Sequence, residues 1–102
     1  MVFEDYIPGI EAEWEPETGF FWRTRQGDFR REDFERTLAK LVAVPSMTEQ
    51  SVPAQFVSVV WYIPIFMEWQ RNRVRECGVN PDEYERGTVR LTNEVQRILG
   101  LP

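Results

Sequence analysis

The sequence predicts an all-α fold, a compact single domain of four to five helices preceded by an irregular acidic N-terminal segment. Three observations lead there. Apolar residues recur at helical spacing in two stretches, Phe34 to Val42 and Leu91 to Leu99. A third stretch, Ala54 to Trp69, is apolar on nearly every side and is bounded by proline and polar residues. No segment outside one short ambiguous run alternates with the period of a strand. At 102 residues the chain is sized for one hydrophobic core, so residues 1–102 are read as one unit, with 1–19 as a strap and 20–102 as the helical core.

The strap comes first. Glu4, Asp5, Glu11, Glu13, Glu15 and Glu17 are joined by no Lys or Arg before Arg23, so residues 1–22 carry −6. The remaining residues carry 11 acids and 12 bases, or +1, and together these give the net −5 of the chain. Phe3, Tyr6, Ile7, Ile10 and Trp14 are interleaved with these acids around Pro8, Gly9 and Pro16. Two readings follow: the aromatics pin an irregular strap to the core, or the strap helps to dock a basic partner.

Phe20, Phe21 and Trp22 open a short run ending at Gly27. It suits a short helix with a glycine C-cap or one arm of a hairpin, with the helix favoured. From Arg31 to about Ala43, Phe34, Leu38, Leu41 and Val42 fall on one helical face, with Glu32, Arg36 and Lys40 on the other. Pro45, SMTEQS and Pro53 make a connecting loop; Ser51 is placed to cap the next helix, with Pro53 in its first turn. The central helix is expected from Ala54 to about Glu76. Pro64 lacks an amide hydrogen and clashes with the preceding turn, so a kink, or a meeting of two helices, is expected near Val60 to Tyr62. Gly78 ends that helix. Asn80, Pro81, Asp82 and Glu83 form a start signal for another, which Gly87 is expected to interrupt. The last segment, Thr88 to Leu99, sets Leu91, Val95, Ile98 and Leu99 on one face and stops at Gly100.

The residue set argues against catalysis. With no histidine, one cysteine and a single lysine, Lys40, the serines and threonines lack the usual activating base. Carboxylate pairs such as Glu32 with Glu35, or Glu11 with Glu15, would need burial of one member for acid–base work, and their neighbours are polar. No EF-hand spacing or phosphate-binding glycine loop is present, so no metal site and no cofactor are expected. Cys77, at a predicted helix end beside Glu76, is read as structural. The net negative charge disfavours nucleic acid as a partner, and Arg71, Arg73 and Arg75 are read as cations complementing a helix C-terminus. The most apolar run, Val59 to Met67, is too short to span a bilayer, and the acidic opening does not resemble an export signal, so a cytoplasmic location is expected.

Recognition is the better-supported theme. Four tryptophans, three tyrosines and seven phenylalanines exceed what one small core readily holds. Some of Trp14, Trp22, Tyr62 and Trp69 should therefore reach the surface, and a tryptophan rimmed by acids is a typical protein-binding anchor. The partner-binding candidates are Glu11, Glu13, Trp14, Glu15, Glu17, Trp22 and Trp69. A pocket around Trp61, Tyr62 and Trp69 would instead suit a small enzyme or ligand carrier.

The acidic, aromatic EDYIPGIEAEWE, the central WYIPIFMEWQ and the closing RILGLP, in a short histidine-free chain, resemble the small bacterial immunity proteins that neutralise polymorphic or contact-dependent toxins. The resemblance implies a non-catalytic cytoplasmic protein that binds a cognate toxin and covers its basic active-site region. A different non-enzymatic module, such as an adaptor, a regulatory subunit or a phage-type inhibitor, fits the same residues.

Overall fold

A computed structural model describes residues 3–46 and 52–100. The fold is all-α, and among the described residues it contains seven α-helical segments and two short 3-10 turns. The helices are α1 (Ile7–Glu11), α2 (Phe20–Arg25), α3 (Arg31–Val42), α4 (Ala54–Val60), α5 (Ile63–Trp69), α6 (Arg71–Glu76) and α7 (Pro81–Leu99). The 3-10 turns, Phe3–Tyr6 and Ala12–Trp14, flank α1. The strap expected to be irregular is thus a chain of short helical turns, and the expected central helix is three pieces. Both differences raise the helix count above four to five.

The first break in the central segment is dictated by Pro64, which has no amide hydrogen for the carbonyl four residues earlier. The chain turns through Trp61 and Tyr62 there without leaving the right-handed helical region, with φ/ψ of −63/−31° and −80/−14°. Gln70 separates α5 from α6. The helix ends at Gly27 and Gly78 share one solution. Each glycine takes a positive φ (87° and 93°), and two reverse hydrogen bonds close the turn: Gly27 N–H to Thr24 O with Asp28 N–H to Arg23 O, and Gly78 N–H to Arg75 O with Val79 N–H to Val74 O.

α7 begins as its start signal predicts. The Asn80 side chain accepts hydrogen bonds from the Asp82 and Glu83 amides at 2.8 and 3.1 Å, and Pro81 fills the first helical position. Gly87, however, does not interrupt the helix, which runs unbroken for 19 residues. A Cβ there would lie 3.1 Å from the Phe34 ring and 3.4 Å from Phe29, so the glycine lets α3 and the preceding loop approach closely. The helix keeps it despite a propensity cost of about 1 kcal/mol.

α7 packs against α3 and α5, and the strap packs over α4 and α3. One apolar cluster joins every layer, from Phe3, Ile7 and Ile10 of the strap through Phe20, Phe21, Leu41, Phe56, Ile63 and Phe66 to Leu91 and Ile98. On α3 the expected stripe holds for Phe34, Leu38 and Leu41, whereas Val42 is 56% exposed at the helix end. Arg97 of α7 closes that end by donating to the carbonyls of Leu41 and Val44 at 3.1 and 2.8 Å. Tyr84 ties α7 to α5 through a hydroxyl donated to Met67 O at 2.8 Å, and burial raises its pKa. The cap expected from Ser51 lies outside the described residues. Pro53 stands at the N-cap of α4 instead of in its first turn.

Candidate protein-binding surface

The strap is held in place by one of its own acids. Glu13 is 1% exposed, and its carboxylate accepts the Phe20 amide at 3.1 Å, Arg36 Nε and Nη2 at 2.8 and 2.7 Å, and Lys40 Nζ at 2.6 Å. Burial alone would raise its pKa; the hydrogen bonds from Arg36, Lys40 and Phe20 outweigh that and hold the group down at about 2. The Arg36 guanidinium is raised in turn, chiefly by its hydrogen bond to Glu13. The network continues through Asp33, also buried, which receives Arg36 Nη1 at 3.0 Å and Arg23 Nη1 at 3.0 and 3.1 Å. Lys40 also reaches Gly9 O at 2.9 Å, and Arg23 Nε reaches Glu17 O at 2.9 Å. The face of α3 opposite the apolar stripe is therefore the seat of the strap.

Gly19 completes the attachment. It is buried, and a Cβ on it would collide with the Glu13 carbonyl and lie 2.9 Å from Glu15 O. Only a residue without a side chain lets the end of the strap fold back over its own backbone and present the Phe20 amide to Glu13.

Trp14 is the second attachment. Its ring stacks on Phe21 at 4.1 Å between centroids, meets Phe66 edge-on at 5.2 Å, and donates its indole N–H to Val59 O at 3.1 Å. Val59 contributes one of the last carbonyls of α4, where a helix leaves acceptors without helical donors, so the strap caps the break that Pro64 imposes. Trp14 and Glu13 are thus built into the fold, and the Glu13 carboxylate does not face solvent. Trp22, on α2, is half-buried.

The other acids of the strap face water. Glu4, Asp5, Glu11, Glu15 and Glu17 are exposed, and among the described residues none of them forms an ion pair. The cations of the strap's neighbourhood are committed elsewhere: Arg23, Arg36 and Lys40 to Glu13 and Asp33, and Arg71 to Glu68 and Glu85. Arg25 lies over the Phe66 ring at 5.4 Å.

Beside the acids lies an aromatic ridge. Trp61 is 50% exposed, Ile65 38% and Trp69 70%, and they stand four residues apart along one side of the α4–α5 junction and α5. Half-buried Tyr62 links them, with ring centroids 5.6 Å from Trp61 and 6.0 Å from Trp69, and it reaches Trp14 at 6.3 Å. At the foot of the ridge an open groove of about 320 Å³ is lined by Glu11, Trp14, Arg25, Ser58, Val59 and Tyr62. The groove joins strap to ridge.

The structure therefore brings Glu11 and Trp14 together with the ridge that carries Trp69. Ile65 was not among the expected binding residues and Trp61 was expected only in a ligand pocket, because an all-round apolar helix gives no hint of which side lacks a cover. Their spacing with Trp69, at i, i+4 and i+8, was the available signal. The Asp33–Arg36–Lys40 series at helical spacing was likewise a sign of a charged network on one face of α3. No group of three or more potential metal ligands occurs among the described residues. In the same residues no helix is long and apolar enough to cross a membrane. No family model, curated protein or solved structure matches this chain.

Proposed function

We propose that the protein is a non-catalytic, cytoplasmic inhibitor of the immunity type, which binds a cognate toxin domain and covers its basic active-site region. One observation carries this reading: an exposed aromatic ridge, Trp61–Ile65–Trp69, adjoins a strap with five solvent-facing carboxylates that form no ion pair among the described residues. Large aromatics at a protein surface supply contact area that is worth desolvating. Unpaired acids beside them attract a basic surface and penalise an acidic one. A toxin acting on nucleic acid has such a basic surface at its active site.

The test is capture of partners on the tagged protein from its native host at low and high salt, with identification by mass spectrometry. The proposal predicts one stoichiometric partner with a toxic domain, whose activity stops when an equimolar amount of this protein is added. Capture of a partner that has no toxic activity, or a toxin unaffected by the added protein, would overturn it.

A further inference from the structure

We infer that the Trp61–Ile65–Trp69 ridge is the seat of a basic amphipathic helix supplied by the partner, with one of its apolar side chains entering the Trp14–Tyr62 groove. The inference deepens the proposed function and rests on it only in taking the partner to be a protein.

The shape of the surface argues for a helix. Residues 61, 65 and 69 form a row at four-residue spacing about 12 Å long, and the turn at Trp61–Tyr62 keeps helical dihedrals, so the row stays on one side. Rows at this spacing are the ridges that pack into the grooves of a second helix. In this fold nothing among the described residues covers the row, since Trp69 is 70% exposed and Trp61 50%. The groove beside it is walled by the apolar surfaces of Trp14, Val59 and Tyr62, and its volume of about 320 Å³ admits a large apolar side chain. An incoming helix can thus lay an apolar stripe along the ridge and insert one anchor at its foot.

Charge selects the chemistry of that helix. Glu11 borders the groove, and Glu15 and Glu17 follow Trp14 in the chain, all exposed and without ion pairs among the described residues. Of the nearby cations, Arg71 is paired with Glu68 and Glu85, whereas Arg25 at the groove lies over the Phe66 ring and leaves one positive charge against the strap's acids. Lysines or arginines flanking the stripe would meet free carboxylates, whereas an acidic helix would meet repulsion. A second copy of this chain would bring its own acidic strap, and a net charge of −5, against the same acids.

The experiment uses the full chain and two labelled 18-residue peptides with the same leucine stripe, one with lysine flanks and one with glutamate flanks. Binding is followed by anisotropy at low and high salt. The lysine peptide should bind, and the glutamate peptide should bind at least tenfold more weakly. Trp61→Ser and Trp69→Ser should each weaken the lysine peptide at least tenfold while leaving the thermal midpoint within about 2 °C, and Glu11→Gln should weaken it severalfold. The inference falls if the lysine peptide does not bind, if both peptides bind equally, or if the tryptophan variants bind like the parent. It also falls if sedimentation shows a dimer that Trp69→Ser dissolves, because the occupant is then a second copy. A captured toxin whose affinity ignores Trp61→Ser and Trp69→Ser would overturn this inference while leaving the inhibitor reading intact. Binding of the lysine peptide as predicted, together with capture of a partner that has no toxic activity, would overturn the inhibitor reading alone.

Discussion

Replacing Glu13 by Gln tests how the strap is attached. The fall of the Glu13 pKa from its ordinary 4.5 to about 2 corresponds to about 3 kcal/mol of stability at neutral pH, at about 1.4 kcal/mol per factor of ten. Breaking a buried pair commonly costs about 3 to 5 kcal/mol, because the remaining charge is left without a partner. Here the partners reach water: the Arg36 and Lys40 side chains are 42% and 30% exposed, and Arg36 retains Asp33. The expected loss for Glu13→Gln is therefore about 2 to 3 kcal/mol, or roughly 10 to 20 °C in melting temperature for a domain of this size. The dependence on pH is the sharper part of the prediction. A carboxylate whose folded pKa is depressed contributes fully above its unfolded pKa, and the contribution is lost as pH falls toward the folded value. About 2 kcal/mol of it should be gone at pH 3 and nearly all by pH 2. Urea unfolding of parent and variant at pH 7 and pH 3 should thus give a stability difference that shrinks by about 2 kcal/mol at the lower pH. A difference under about 0.5 kcal/mol at pH 7, or one that is the same at both pH values, would refute the network as described.

Four further outcomes follow from other parts of the molecule. Gly19→Ala should destabilise by at least about 2 kcal/mol in urea titration, because the new methyl group overlaps the Glu13 carbonyl and must displace the backbone that presents Phe20 to the carboxylate. Tyr84→Phe should cost about 1 to 2 kcal/mol by removing the hydroxyl donated to Met67 O. With its pKa raised by burial, Tyr84 should give no ultraviolet ionisation signal until the protein unfolds; stability should fall as pH rises above the unfolded value of about 10. Changing Glu11, Glu15 and Glu17 together to Gln should slow association with the captured partner and flatten its salt dependence, with the melting temperature almost unchanged, as stopped-flow and calorimetry would show.

The helical regions legible in the sequence are those whose signals are local. Asn80–Pro81 fixes the start of α7, Gly27 and Gly78 fix two helix ends, and Pro64 fixes the break after Val60, each through an effect confined to one turn. Gly87 misled because its local cost is outweighed by a contact far away in sequence, the Phe29 and Phe34 rings that crowd the place a side chain would take. Glu13 shows the same limit on the site. In composition it is one of six equivalent strap acids, and only the return of the chain through Gly19 and the approach of Arg36 and Lys40 from α3 bury it. Trp69 could be named as a surface candidate because polar residues follow it, whereas Trp61 lies within an unbroken apolar run. Its exposure is decided by the strap, which covers the Val59 side of α4 through Trp14 and leaves the Trp61 side open.

The central claim is that the partner binds across the aromatic ridge and the acidic strap beside it. Hydrogen exchange of this protein, free and saturated with its captured partner, tests that claim most directly. The account predicts added protection confined to Ile7 to Trp14 and to Val59 to Trp69. Protection along Arg31 to Val42 and Pro81 to Leu99, with the ridge amides exchanging as fast as in the free protein, would contradict it.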